Sequence, residues 1–419
     1  MRTTLCGFIV WLSAGISTPS IAWASGAGVA AVRPADPALR QFVQTVVNAN
    51  ASVKAARAAL EARRSYRDAA SRPLYNPEFN ADYERTHEIR YWFGIGYTID
   101  WGGKGRARTA LAEWERRVAD ANFDLHRRSV TIELLKGLAA HQTNAERDSL
   151  ASSRRELMRD FAALAQRRFE TGDVNRVELD LARLASVDAR IKKATAAAAL
   201  AEARQAVRGL APDLPLSQWP PLPASLPDLP EGADVQSTIG VLPEVIAARR
   251  RADAAEALVE FRRRERRPDP TLNVGGGSEV GDRLAVAELS IPLPLLNRFG
   301  DEVDAAQAEH RAAQQAGKDV SRRARARLIG ATERYQLALA AWEDWKKTGQ
   351  TSLERQQAQL RKLWKAGDIG TTDYLVHAGQ TLNLRESALD LRETLWGAWL
   401  DWLSASGQID AWVGYGTDR

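Results

Sequence analysis

One cysteine, Cys6, and two methionines, Met1 and Met158, are all the sulfur this chain carries. Cys6 sits in an N-terminal stretch with the character of an export signal. The mature chain is therefore expected to hold no thiol and no disulfide. A relay of methionine thioethers for soft metals is likewise excluded. The five histidines, His87, His126, His141, His310 and His377, include no pair at i, i+4, so zinc-type ligation has no basis. A nucleophile elbow and a glycine-rich nucleotide fingerprint are both missing. Gly102-Gly103-Lys104-Gly105 lacks the spacing of a phosphate loop and reads as a strand-to-helix turn. No catalytic residue, cofactor or metal site is assigned, and the chain is read as not an enzyme. Past the N-terminus no stretch reaches about 18 uncharged apolar residues, so any membrane crossing must be made by strands. Charge of one sign is not concentrated either. The 58 Lys+Arg and 53 Asp+Glu interleave along helical segments, which describes a solvated helix surface and not a nucleic-acid binder.

What is present begins with the signal. Arg2 precedes an apolar run from Leu5 to Leu12, and Ala22-Trp23-Ala24 has the small-x-small form of a cleavage site. Residues 1–24 are thus expected to be removed.

The rest is a duplication. Asn76-Pro77-Glu78-Phe79-Asn80 echoes Asp269-Pro270-Thr271-Leu272-Asn273, and Gly172-Asp173-Val174 echoes Gly367-Asp368-Ile369, at offsets of about 193 and 195 residues. Two anchors at nearly one offset imply two copies of one unit. Each unit reads helix, two short strands, very long helix, Gly-Asp turn, helix. The first copy is placed at 25–210, with strands about 77–100 and a long helix about 104–170. The second is placed at 235–407, with strands about 270–293 and a long helix about 299–365; 408–419 is a C-terminal tail. Residues 211–234 lie between them. Seven of the nineteen residues from Pro212 to Pro230 are proline, which blocks regular helix. This segment is either a linker or an irregular belt packed outside the helices.

The long helices carry alternating steps of 3 and 4: Leu111, Trp114, Val118, Ala121 and Leu125, then Leu328, Ala331, Tyr335, Ala338, Trp342 and Trp345. That is a coiled-coil seam. The strands alternate by two. Phe79, Ala81 and Tyr83 face away from Asn80, Asp82 and Glu84. Tyr91, Phe93, Ile95, Tyr97 and Ile99 face away from Trp92, Gly94, Gly96, Thr98 and Asp100. Apolar residues on one side and small or polar ones on the other suit a barrel with lipid outside and water inside. They also suit two amphipathic hairpins on a soluble protein. Arg63, Arg64, Arg67 and Arg72 before the first hairpin, and Arg262, Arg263, Arg264, Arg266 and Arg267 before the second, suit a helix C-terminus as well as phospholipid headgroups.

Each Gly-Asp corner closes one helix through glycine, and Asp173 and Asp368 are expected to cap the next. The corners Gly172, Asp173, Val174 and Gly367, Asp368, Ile369 are read as the exposed tip of a tube, where a partner docks. Glu178, Asp180 and Asp373, just past the corners, are either first-turn acids favoured by the helix dipole or a ring that gates a lumen.

Gly102-Gly103-Lys104 with Arg106, Arg108 and Ala112-Glu113 resembles the TolC-like outer-membrane efflux family. So do Arg267-Pro268-Asp269-Pro270-Thr271-Leu272 and Ile291-Pro292-Leu293-Pro294-Leu295, and together these are similar to its cobalt–zinc–cadmium branch. Arg168 with Gly172-Asp173-Val174, and Lys365 with Gly367-Asp368-Ile369, resemble the family's paired tip motifs. The resemblance implies a mainly α fold with membrane strands. Three copies would pool twelve strands in an outer-membrane β-barrel, continuous with a periplasmic α-helical barrel of twelve staves. It also implies a periplasmic adaptor and an inner-membrane resistance–nodulation–division pump as partners, with outer-membrane lipid around the barrel. A periplasmic coiled-coil adaptor is the alternative, although an adaptor would show one helical hairpin flanked by β-domains. A soluble helical enzyme has no positive feature in its favour.

Overall fold

The computed structural model describes residues 32–415 apart from 86, 213, 231–234 and 367. The signal of residues 1–24 and the corner residue Gly367 lie outside the described residues. The first repeat comprises α1 (Pro37–Ala49), α2 (Ala51–Ala70), the hairpin β1 (Glu78–Arg85) and β2 (Ile89–Thr98), α3 (Lys104–Glu170) and α4 (Arg176–Leu210). After a short 3-10 turn at Leu216–Gln218 comes α5 (Val235–Gly240). The second repeat then runs through α6 (Pro243–Glu265), β3 (Thr271–Glu279), β4 (Asp282–Ser290), α7 (Gly300–Asp344), α8 (Gln350–Ala366) and α9 (Thr371–Ala405), with α10 (Ile409–Val413) behind it. The four strands form one antiparallel sheet in the order β1-β2-β3-β4. None of the described helices is long and apolar enough to cross a membrane.

The helix ahead of the first hairpin is split at Asn50. Its backbone is extended, with φ −60° and ψ 131°, and its side chain accepts from the Ser52 and Val53 N–H groups to start α2. Such an N-cap is worth about 1 kcal/mol. At 67 residues, α3 extends roughly 100 Å. The equivalent helix of the second repeat departs from the expected single run: a π turn at Trp345–Gly349 separates α7 from α8. Its cause is local. A Cβ on Gly349 would stand 2.2 Å from the Trp345 ring, so only glycine lets the indole lie across the widened turn.

The main core lies at mid-height. Leu134, Leu135 and Leu138 of α3 pack with Leu39 and Val43 of α1 and with Trp399, Leu400 and Leu403 of α9, all buried. Fully burying a side chain of this class contributes about 1.5–3 kcal/mol. Trp399 lies 5.1 Å from Tyr335, 5.3 Å from Trp402 and 6.2 Å from Trp412, ring to ring. The last contact ties α10 to the bundle, and Asp410 pairs with Arg128 at 2.6 Å.

The proline-rich segment is a belt against this core. Trp219 meets His141 edge-on at 4.9 Å. The Leu222 N–H donates to the Gln142 side chain at 3.1 Å, and the Tyr335 hydroxyl donates to the Pro227 carbonyl at 2.6 Å. Burial pushes the Tyr335 hydroxyl up and the His141 imidazole down, which keeps both neutral where the belt covers them.

Candidate functional site

Two regions, at opposite ends of the long helices, combine the features singled out in the sequence. The first is the sheet. Its register places Phe79 opposite Ile95 and Ile95 opposite Val274, while Tyr97 faces Leu272 and Leu272 faces Leu289. This apolar face is open: Phe79, Phe93, Ile95 and Val274 are all more than half exposed. The opposite face is built on glycine. Gly94 lies opposite Gly275 and Trp92 opposite Gly277. A Cβ on Gly275 would fall 2.4 Å from the Phe93 carbonyl oxygen, and one on Gly277 1.9 Å from that of Tyr91. Glycine at these positions therefore lets the neighbouring strand's backbone approach closely on this side. The same face carries Glu78, Asp82, Glu84, Glu279, Asp282 and Glu288, against Arg90 alone among the basic residues of the four strands. The strands at the two ends, β1 and β4, each leave one edge without a partner among the described residues.

Below the sheet the strands turn into helices. Asp100 accepts from the Lys104 and Gly105 N–H groups at 2.7 and 2.8 Å, starting α3. Gly103 before it takes a left-handed φ of 70°. The Lys104 ammonium meets Asp269, whose side chain is 3% exposed, at 2.9 Å. The Tyr75 hydroxyl donates to the same carboxylate at 2.8 Å. Burial and that acceptor push Tyr75 up to about 12. One buried carboxylate thus joins both repeats at the root of the sheet. The sequence showed the glycine turn but not this pairing, because the partners are far apart along the chain.

The second region is the corner end. Gly172 closes α3 with φ +84°. Its N–H donates to the Phe169 carbonyl at 3.1 Å and that of Asp173 to the Arg168 carbonyl at 2.8 Å, a Schellman closure. Asp173 does not cap α4 as expected; it accepts from the Thr171 hydroxyl at 2.7 Å. The cap is Asn175, which accepts from the Glu178 N–H at 3.0 Å while Glu178 accepts from the Asn175 N–H at 2.9 Å. Asn sits at the position where such a reciprocal box is strongest. In the second corner Asp368 is also not the cap. Its N–H donates to the Leu363 carbonyl at 3.0 Å, and Gly370 starts α9 without a side-chain bond.

Both corners are brought together by an aromatic cluster. Phe161 lies 5.0 Å from Trp364 and 5.5 Å from Tyr374, with Trp364 and Tyr374 stacked at 4.7 Å. The Arg168 guanidinium sits 4.7 Å over the Trp364 ring. Ile369 packs against this cluster, while Gly172, Asp173 and Asp368 are exposed and Val174 is half-buried. A signal for it stood in the sequence: Phe169 and Trp364 each lie three residues ahead of a Gly-Asp pair. Of the three acids, Glu178 is engaged in the cap, Asp180 pairs with Arg176 and Arg183 at 3.2 and 3.6 Å, and Asp373 is exposed in the first turn of α9.

Residues 42–211 match the family described as Outer membrane efflux protein. The chain is 29% identical over 236 residues to the cobalt-zinc-cadmium resistance protein CzcC of Cupriavidus metallidurans, a stretch covering 54% of this chain and 56% of that protein. The chain thus matches little more than half the length of this relative. Among solved structures it is similar to the Campylobacter jejuni CmeC outer membrane channel, with TM-score 0.74 at 15% identity over 89% of this chain and 86% of that one. The open state of the Neisseria gonorrhoeae MtrE outer membrane channel gives 0.70 at 19% identity over 89% of both. The described chain therefore has the fold of these channels, and its first repeat carries the efflux-protein pattern.

Proposed function

We propose that this chain, built as the outer-membrane efflux channels are built, is the exit duct of a tripartite efflux system. The observation that carries this reading is the sheet: apolar on one face, glycine-lined and acidic on the other, with two free edges. An open edge is not tolerated in lipid, so copies pool their strands until the sheet closes. Three copies give twelve strands, and the long helices become the staves of a periplasmic tunnel. The duct conducts passively, while an inner-membrane resistance–nodulation–division pump selects the substrate and a periplasmic adaptor joins pump to duct. Divalent heavy-metal cations are the proposed cargo. The likeness to CzcC supports this, and so does the acidic inner face of the strands, since rings of carboxylates favour cations. Extraction from outer-membrane fractions only with detergent, together with conductance in planar bilayers, tests the reading. Recovery in the soluble periplasmic fraction without conductance would overturn it.

The corners are the proposed adaptor-docking tip, formed by Gly172, Asp173, Val174, Gly367, Asp368 and Ile369. Gly172→Leu forces a branched side chain into a left-handed backbone at a site where a Cβ itself would touch nothing. Adaptor capture and metal resistance are expected to fall while the oligomer stays intact. Undiminished adaptor binding by this variant would remove the corner from the docking surface.

The gate reading narrows to Asp373, because Glu178 and Asp180 are already engaged locally. Asp373→Asn is expected to reduce cation over anion selectivity in single-channel recordings and to weaken block by multivalent cations. Glu178→Gln, in contrast, should act on the stability of the corner alone. Unchanged selectivity in Asp373→Asn would leave that carboxylate only its favourable place near a helix N-terminus.

A further inference from the structure

The two repeats meet within one chain at a junction that serves as a template. The turn after β2, residues 99–103, lies on the corner between α6 and β3. The Ile99 N–H donates to the Pro270 carbonyl at 2.9 Å, the Arg264 guanidinium donates to the Gly102 carbonyl at 3.3 Å, and a Cβ on Gly102 would stand 3.2 Å from the Arg267 Cβ. The corresponding turn after β4 is longer, residues 291–299. It ends in the same backbone device, with Phe299 at φ 54° where the first repeat has Gly103 at φ 70°. For a bulky residue that conformation is strained, and Asn297 holds it by accepting from the Phe299 N–H at 2.8 Å.

The longer turn differs in being apolar and uncovered. Leu293 and Leu295 are more than two-thirds exposed and Leu296 completely so. Three neighbouring leucines open to water form a patch that needs explanation. The turn follows β4, whose outer edge has no partner among the described residues, and the other such edge of the sheet belongs to β1. The offset of about 193 that relates the repeats carries Arg267 onto Leu74 and Asp269 onto Asn76. The corner that would receive the second turn is thus the one between α2 and β1. It borders a cavity of about 430 Å³ lined by Ser71, Pro73, Leu74 and Tyr75 among others.

We propose that the strap of residues 291–299 seats on the α2–β1 corner of a second copy of this chain, repeating between subunits the seat that residues 99–103 have within one. The inference rests on the oligomeric reading above and adds its contact. Where the internal junction closes on the Lys104–Asp269 ion pair, the external one closes on leucines. Two neutral residues, Gly300 and Asn76, stand at the counterpart positions.

Superposing the left-handed residues Gly103 and Phe299 carries Gly102 onto Arg298, so Arg298 of one copy should face Leu74 of the next. The separation in the template is near the 3.5–4.5 Å that a disulfide requires between Cβ atoms. The test is oxidative crosslinking of Leu74→Cys/Arg298→Cys in a Cys6→Ser background, in detergent, with the mass of the assembly measured by light scattering. The expected result is a non-reducing ladder reaching three times the monomer mass when both cysteines are present, and none with either alone. A trimer by mass that gives no ladder overturns the strap seat and leaves the duct reading standing. A monomer by mass overturns the oligomeric reading and the strap with it. As a second measurement, the combined Leu293→Ser, Leu295→Ser, Leu296→Ser variant should lower the temperature at which the trimer dissociates in SDS, and an unchanged temperature counts against the seat.

Discussion

Ile95→Arg is expected to leave no assembled oligomer in the outer membrane. Ile95 lies mid-strand on the apolar face, flanked by Phe79 on β1 and Val274 on β3, and is 57% exposed in the single chain. In a barrel of pooled strands that exposure is to acyl chains. An arginine at mid-bilayer on a lipid-facing strand costs on the order of 2–4 kcal/mol, and each copy incurs it. The measurement is the heat-modifiable oligomer band from outer-membrane fractions. Glu288→Gln, on the opposite face of β4, is the matched control and should assemble normally. Wild-type amounts of oligomer in Ile95→Arg would show that this face does not meet lipid.

Asp269→Ala should be the most damaging change below the sheet. It leaves the Lys104 ammonium, itself only 16% exposed, beside an empty buried site and removes the acceptor of the Tyr75 hydroxyl. Breaking a buried pair by removing one partner costs about 3–5 kcal/mol. Lys104→Met alone is expected to cost about as much, because it strands the carboxylate. The double variant Lys104→Met/Asp269→Leu should recover a large part of the loss, since apolar replacement of both members of a buried pair is often neutral. Denaturant unfolding followed by helical circular dichroism reads all three. Single-variant losses below about 1 kcal/mol, the size of an exposed pair, would mean that water reaches the junction and that the repeats are joined by their strands alone.

The architecture was legible wherever it depends on local periodicity. Strand alternation located both hairpins because one face of each is apolar over its whole length. The steps of 3 and 4 picked out Leu328, Ala331, Tyr335 and Ala338, all buried. Features that depend on one residue against its surroundings were not legible. The split at Asn50 needs the knowledge that an asparagine inside a helical pattern is used as a cap. The π turn leaves only a Trp345 four residues ahead of Gly349, a spacing any helix can contain. At the corners the glycine was read correctly where it is described. The capping role that the sequence offers to the acid after it belongs, in the first corner, to Asn175, because Asp and Asn are nearly equal in that preference and only the path of the chain decides between them. The belt is not legible in the sequence, because proline states what a segment cannot be, not where it lies.

The unlike caps at the two corners bear on stoichiometry. One corner is locked by a reciprocal pair, Asn175 with Glu178, while the other begins on Gly370 with no side-chain bond. The staves that lead to them also differ, one an uninterrupted α-helix and the other stepped by a π turn, which spends more residues per turn than an α-helix. In the proposed closed tube of three copies the two kinds of corner would alternate, so the rim would have three-fold and not six-fold equivalence. On that proposal, a partner that recognises one kind would saturate at three per tube, and one that accepts both at six, with two affinities.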